Sequence, residues 1–152
     1  MKLFQIEEPD GSAVDPDAPG VAIGIDIGGT AAEVAVAVGG NAMGLADREG
    51  FALDLIVPPA DAPADAWQQL FEGARRRAER VLAQPVTHAV LAMTALPDAA
   101  FAARLATTGE AAGLVLLRIV AREGATAGDQ VAGPSALAAA ILAEDLAPRP
   151  AP

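Results

Sequence analysis

The stretch VAIGIDIGGT, residues 21–30, decides the fold predicted for this chain. Its apolar residues predict a buried strand that ends at Asp26, and Gly28, Gly29 and Thr30 follow at once. Glycines allow positive φ and let backbone N–H groups approach an anion closely. A carboxylate such as that of Asp26 can hold Mg²⁺, and Thr30 offers a hydroxyl. The segment therefore predicts a strand that leads into a phosphate-and-metal turn.

Composition narrows the classes of protein and partner. The 152 residues suit one domain, and 53% are hydrophobic but only 3% aromatic, so the core is expected to consist of Ala, Val, Leu and Ile. The formal net charge is −10 and Lys2 is the only lysine, which argues against nucleic acid or an anionic membrane as partner. Without cysteine there is no disulfide or thiolate metal site. No long apolar run or signal-peptide pattern is present, so a cytoplasmic location is expected.

The hydrophobic periodicity predicts five strands and three helices in the order βββαβαβα. The predicted strands span 21–27, 31–38, 51–57, 87–93 and 114–120, and the predicted helices span 66–83, 97–112 and 135–146. Asp65 is the expected N-cap of the first helix, and Gly113 the C-cap of the second. Three consecutive strands favour an antiparallel meander, and strands reached through helices favour parallel neighbours. This is the order of a single α/β ribonuclease-H-like lobe, the repeating unit of the actin-like ATPases.

The same pattern divides the chain into three parts. Residues 1–20 are acidic and proline-bearing and are expected to form an extended arm. Residues 21–146 are the predicted actin-like half-domain, and residues 147–152 are a Pro-rich tail expected to be disordered.

The arginines of the first predicted helix and the only histidine each allow a structural and a functional interpretation. The arginines of the first predicted helix favour a solvated face, with a partner-binding patch as the alternative; they are Arg75, Arg76, Arg77 and Arg80. His88, the only histidine, is interpreted as a hydrogen-bonded or surface residue of a strand rather than as a catalyst.

Three stretches resemble the nucleotide-binding domain of DnaK-type heat-shock chaperones. They are the strand–turn–strand of residues 23–38, QPVTHAVLAM at 84–93, and residues 98–120, where EAAGLVLLRIV at 110–120 is the closest match. The opening LFQIEEPDGSA, residues 3–13, and GLADREG, residues 44–50, are similar to the HscA-type branch, which serves iron–sulfur cluster assembly. The resemblance implies an actin-like fold and, in an intact family member, ATP hydrolysis.

The departures from that family concern its catalytic parts. The family has a lobe inserted between its third strand and first helix, and that insertion carries the catalytic lysine; here only a short loop separates residues 57 and 67. Lys2 cannot replace that lysine by position. The family's third-helix glutamate has either Gly133 in its place or Glu123 as a displaced counterpart. The second lobe, with its phosphate loop and adenosine pocket, is not among these residues.

These departures predict a non-catalytic, chaperone-like lobe that acts as an accessory, assembly or structural protein through contacts with another protein or a second copy. Iron–sulfur or metalloprotein maturation is the process that the resemblance implies. No catalytic residue, metal or cofactor is then expected, and the 26–30 segment is chiefly a tight structural turn.

Two alternatives remain open. The first is a nucleotide-binding module that completes an ATP–Mg²⁺ site in trans, in which Asp26, Gly28, Gly29 and Thr30 hold phosphate and Asp26 meets metal only together with nucleotide. The second is a fragment of a diol-dehydratase-type reactivating factor, whose GIDIGN-x-x-x-EVALA opening resembles GIDIGGTAAEVAVA at residues 24–37.

Overall fold

A computed structural model describes residues 20–45, 55–121 and 133–147, with side chains from residue 136 onward in the last range. The described elements are the strands β1 (Val21–Asp26), β2 (Glu33–Val38), β3 (Asn41–Gly44), β4 (Val86–Met93) and β5 (Val115–Ala121), and the helices α1 (Ala64–Leu82), α2 (Ala99–Ala111) and α3 (Gly133–Leu146).

The strands form one mixed five-stranded sheet in the order β3-β2-β1-β4-β5. β2 runs antiparallel to both β1 and β3, whereas β4 is parallel to β1 and β5 is parallel to β4. Over the described residues the element order is βββαβαβα. The predicted α/β class, the element order, the meander and the parallel crossovers are therefore confirmed.

The position predicted for the third strand is wrong. It was expected at 51–57, but the third strand of the sheet is β3, which directly follows a two-residue turn at Gly39 and Gly40. Both glycines have positive φ, 63° and 85°, the conformation that matches the twist of a tight hairpin. Of the described residues 55–57, Ile56 forms only an isolated antiparallel bridge with Ala31. Residues 51–54 lie outside the described residues.

The helix ends differ slightly from prediction. Pro63, not Asp65, is the N-cap residue of α1, and Asp65 lies in the first turn, where its charge suits the helix dipole. Asp98 caps α2 by accepting a hydrogen bond from Phe101 N at 2.8 Å. At the other end of α2, Ala112 is the C-cap and Gly113 follows it with φ 92°. The helix therefore ends at Ala111, one residue earlier than predicted, and Gly113 is the left-handed residue after the C-cap and not the C-cap itself.

The two faces of the sheet are covered differently. α1 and α2 cover one face, where Ile23 and Ile25 of β1 meet Trp67, Phe71 and other side chains of the main core. α3 covers the opposite face through its buried alanines, which are Ala136, Ala139, Ala140 and Ala143. The expectation of an aliphatic core with few aromatic side chains fits both layers.

Gly24 of β1 is the point of closest approach between α3 and the sheet. A Cβ atom on this residue would overlap the backbone nitrogen of Ala140 and would lie 2.7 Å from the carbonyl oxygen of Ala136. Only glycine fits here because the obstructing atoms are helix backbone, which cannot rotate away as a side chain would.

Arg75 ties α1 to the end of α2. Its Nε donates to Ala112 O at 2.8 Å, and its Nη1 lies 3.1 Å from Glu79 Oε1. The other carboxylate oxygen of Glu79 accepts from Val86 N at 2.9 Å. Arg75 therefore stabilises a helix C-terminus and is not simply part of a solvated face.

Several predictions fall on parts of the chain that the structure does not describe. The arm (except Gly20), the stretch around Glu123 and the tail after residue 147 lie outside the described residues. The division into arm, half-domain and tail therefore stays a prediction.

Replacing Gly24 tests the contact between β1 and α3. We expect Gly24→Ala to lower the free energy of unfolding by about 1–3 kcal/mol, because the added methyl group forces backbone apart. Gly44→Ala is the matched control, since a Cβ atom there meets nothing within 4 Å. Urea unfolding of both variants measures the difference. Equal stability of the two would contradict the close approach.

Candidate functional site

The candidate site is the turn of residues 28–30, which follows β1. Side chains of β1 alternate between the faces of the sheet, so that Ala22, Gly24 and Asp26 share the α3 side. Glu144, near the end of α3, binds the β2–β3 hairpin, at the opposite end of β1 from this turn. α3 therefore begins near the end of the sheet where Asp26 lies.

The carboxylate of Asp26 folds back onto the turn. Asp26 is only 1% exposed, and its Oδ1 accepts a hydrogen bond from Gly28 N at 2.8 Å. The amide of Gly28 is thus already used by a carboxylate of the chain itself. A phosphate could take this amide only by displacing the buried side chain of Asp26.

Neither Gly28 nor Gly29 of the turn has a left-handed backbone conformation. The described glycines with positive φ are Gly39, Gly40 and Gly113, and neither Gly28 nor Gly29 is among them. A Cβ atom on Gly29 would meet only Ala31 O, at 3.8 Å. Gly28 and Gly29 therefore do not use the positive φ that glycine allows, and the binding of a phosphate by this segment stays a prediction.

Hydrogen bonds hold the turn on both sides. On the β4 side, Ile27 N donates to Ala92 O at 2.8 Å, and Thr94 Oγ1 donates to Gly28 O at 3.3 Å. On the other side, Val57 N donates to Thr30 O at 2.9 Å. The amides of Gly29 and Thr30 make no hydrogen bond within the described part of the chain, and both residues are exposed. The turn is thus anchored at its ends and open at its tip.

Glu33 is a neighbour of the site that the sequence reasoning did not single out. It lies directly opposite Asp26 in the β1–β2 register, so both side chains share one face. The alternation Glu33-Val-Ala-Val pointed to a strand, but only the register of the hairpin brings the two acids together. Two carboxylates supply fewer ligands than Mg²⁺ or Ca²⁺ normally takes. Over the described ranges, no group of three or more His, Cys, Asp or Glu residues could hold a metal.

Exposed apolar side chains lie on either side of the turn. Ile56, next to the Val57 anchor, is 65% exposed, and Leu96, two residues after Thr94, is 63% exposed. We call Gly28, Gly29, Thr30, Ile56 and Leu96 the turn surface. The side chains of Ile56 and Leu96 make two of its five residues large and apolar.

No family model and no curated protein matches this chain. Among the described residues, no helix combines the length and apolar character needed to cross a membrane.

His88 lies on β4, away from the turn. Its Nδ1 is 2.7 Å from Thr87 Oγ1, and this hydroxyl also accepts from Gly20 N at 2.9 Å. Partial burial lowers the pKa of His88 below its ordinary value of 6.5. The hydrogen bond to Thr87 agrees with the structural role predicted for this residue.

The lowered pKa of His88 predicts that acid destabilises the fold. The unfolded chain binds a proton at His88 more readily than the folded chain, so the stability conferred by neutral His88 is present above pH 6.5 and is lost as the pH falls through the lowered folded pKa. We expect His88→Gln to flatten this part of the profile of unfolding free energy against pH. Parallel profiles for the wild type and the variant would contradict the assignment.

The bond between Asp26 and Gly28 predicts a difference between two substitutions. Asp26→Ala removes the acceptor and should lower the free energy of unfolding by about 1–3 kcal/mol. Asp26→Asn keeps an acceptor oxygen of similar position and should cost less. Chemical denaturation of both variants measures the gap, and an Asn variant as unstable as the Ala variant would show that the bond to Gly28 is not the stabilising contact.

Proposed function

We propose that this chain is a single ribonuclease-H-like lobe of the actin-like ATPase type that has no catalysis of its own and acts by contacting another protein. The strand order supports the fold assignment, and the three resembling stretches support the relation to heat-shock chaperones.

The hydrogen bond from Gly28 to Asp26 is the observation that carries the non-catalytic part of the proposal. Phosphoryl transfer needs clamped phosphates, a placed metal and an oriented water molecule. At this turn a clamping amide is held by the buried Asp26 carboxylate, and Glu33 is the acid opposite it in the sheet. This arrangement favours a structural turn over an ATPase site.

The turn surface supports the protein-contact part. Ile56 and Leu96 are large exposed apolar side chains, and Val57 and Thr94, close to them in the chain, hydrogen-bond to the turn. Burying them against a partner gains hydrophobic free energy, whereas exposure to water gains none. We therefore assign the turn surface to a partner protein, with a protein of iron–sulfur assembly as the partner class, because iron–sulfur maturation is the process that the resemblance suggests.

A binding experiment tests this assignment. We expect a purified iron–sulfur assembly protein to bind the full chain in a fluorescence anisotropy titration. Leu96→Glu should raise the dissociation constant at least about tenfold. Val38→Glu is the matched control because Val38 is also exposed, at 70%, but lies at the hairpin end of β2. An equal loss of affinity in both variants, or no binding by the wild type, would overturn the assignment of the turn surface to this partner.

The exposed tip of the turn favours a second candidate, a nucleotide module completed in trans. The Gly29 and Thr30 amides have no partner among the described residues and could meet a phosphate, and α3 begins near the same end of the sheet. The reactivating-factor alternative shares this turn, and Glu33 is the glutamate of its resembling stretch.

Calorimetry with ATP and Mg²⁺ separates these functions. We expect no binding heat and no phosphate release above background for the full chain. Binding that disappears in Asp26→Ala but persists in Glu33→Gln would establish the trans nucleotide site and reject the non-catalytic, contact-only lobe.

A further inference from the structure

α3 is an unusual helix for a surface position. It packs on strands of the sheet through Ala136, Ala139, Ala140 and Ala143, yet its outward side is also apolar from residue 137 to residue 142. Along that outward side, Ala138 is exposed, Ile141 is 43% exposed, and Leu137 and Leu142 are half-buried on the flanks. A helix that is apolar on all sides is normally covered on all sides.

The charges of α3 lie at the end where its dipole disfavours them. Within the described part of the helix the acids are Glu144 and Asp145, and its last turn has no basic residue. Glu144 has a role, since its carboxylate accepts from Gly39 N at 2.6 Å and Gly40 N at 2.9 Å. Asp145 points outward and is exposed, near the negative end of its own helix dipole.

We propose that the outward side of α3 is the contact surface for a second copy of this chain, with the two α3 helices antiparallel about a two-fold axis. This inference deepens the proposed contact function by naming one partner, but it depends on α3 and not on the turn surface.

The spacing of the outward residues fits this arrangement. Positions 134, 138, 141 and 145 lie along one line of the helix, at steps of four, three and four residues. A two-fold axis between residues 139 and 140 places Ile141 of each copy opposite Ala138 of the other, a large side chain on a small one. The same axis places Asp145 opposite position 134, in the first turn of the partner's helix.

The pairing corrects the unfavourable position of Asp145. The first turn of a helix has a positive partial charge, so an antiparallel neighbour brings the exposed carboxylate next to the charge it prefers. A parallel pair would instead bring two acidic ends together. The acidic end of this surface therefore complements the first turn of the same helix in a second copy, and charge favours the antiparallel over the parallel orientation.

The size of the surface sets the strength of the dimer. One pair of helices of this length buries less than the roughly 1,200–2,000 Å² of a stable interface. Each copy also carries a net charge of −10. The dimer is therefore weak, forms at high concentration and strengthens when salt screens the repulsion.

Sedimentation velocity of the full chain from about 10 µM to about 1 mM measures this association. We expect Ile141→Glu to weaken the dimer at least about tenfold, and Leu96→Glu, which adds the same charge at an exposed residue elsewhere, to leave it near the wild-type value. A wild type that stays monomeric throughout, or equal effects of the two variants, would overturn the proposal.

Asp145→Lys separates specific pairing from general repulsion. It reduces the net negative charge by two, so repulsion alone predicts a tighter dimer, whereas the loss of contact with the partner's helix start predicts a weaker one. We expect weaker association, and a tighter dimer would overturn the antiparallel arrangement.

Disulfide trapping tests the register, because the chain has no cysteine to compete. A mixture of Ala138→Cys and Ile141→Cys chains should cross-link faster than either variant alone, and Leu96→Cys should not respond to mixing. Failure of the mixture to exceed the single variants would overturn the register. The binding of the iron–sulfur assembly protein to Ile141→Glu is measured as well. If the two surfaces are separate, this binding is unchanged, which distinguishes failure of the dimer from failure of the proposed function.

Discussion

The close contact between Gly24 and α3 is the constraint on which the rest of the structure depends. Because the α3 backbone lies directly on β1, the residues that face it must be small, and the helix presents Ala136, Ala139 and Ala140 there. The two hydrogen bonds of Glu144 to the β2–β3 hairpin fix the other end of α3. With both contacts made, the course of the helix along the sheet is determined, and its start lies toward the end of the sheet that carries Asp26.

The sequence predicts those elements whose pattern repeats within a few residues. The apolar residues of β1 and the helical spacing of Trp67, Leu70, Phe71 and Ala74 in α1 are local signals, and both elements form nearly where expected. The sequence of β3, Asn-Ala-Met-Gly, carries no such alternation. That strand depends on the left-handed turn at Gly39 and Gly40, which returns the chain alongside β2.

The sequence identifies the residues of the candidate site but not the contacts between them. The sequence reveals a strand that ends at Asp26 before glycines. It does not reveal the side-chain rotamer by which the Asp26 carboxylate accepts a hydrogen bond from Gly28 N. The neighbour Glu33 is equally hidden, because a shift of the β1–β2 register by one residue would place it on the other face of the sheet. Register is a property of the hairpin as a whole, so no local pattern reveals it.

Both edges of the described sheet have features that disfavour edge-to-edge association with another protein. β3 has only four residues, and β5 carries a bulge, since Leu116 and Arg118 pair with the consecutive residues Ala89 and Val90. Short strands, bulges and charged side chains are the features by which proteins prevent edge-to-edge pairing. The exposed Arg118 adds a charge at that position. Both edges of the described sheet are protected in this way, which favours association through other surfaces, such as the turn surface and the outward side of α3 that we propose. A lobe paired through α3 would still present its turn surface to another protein.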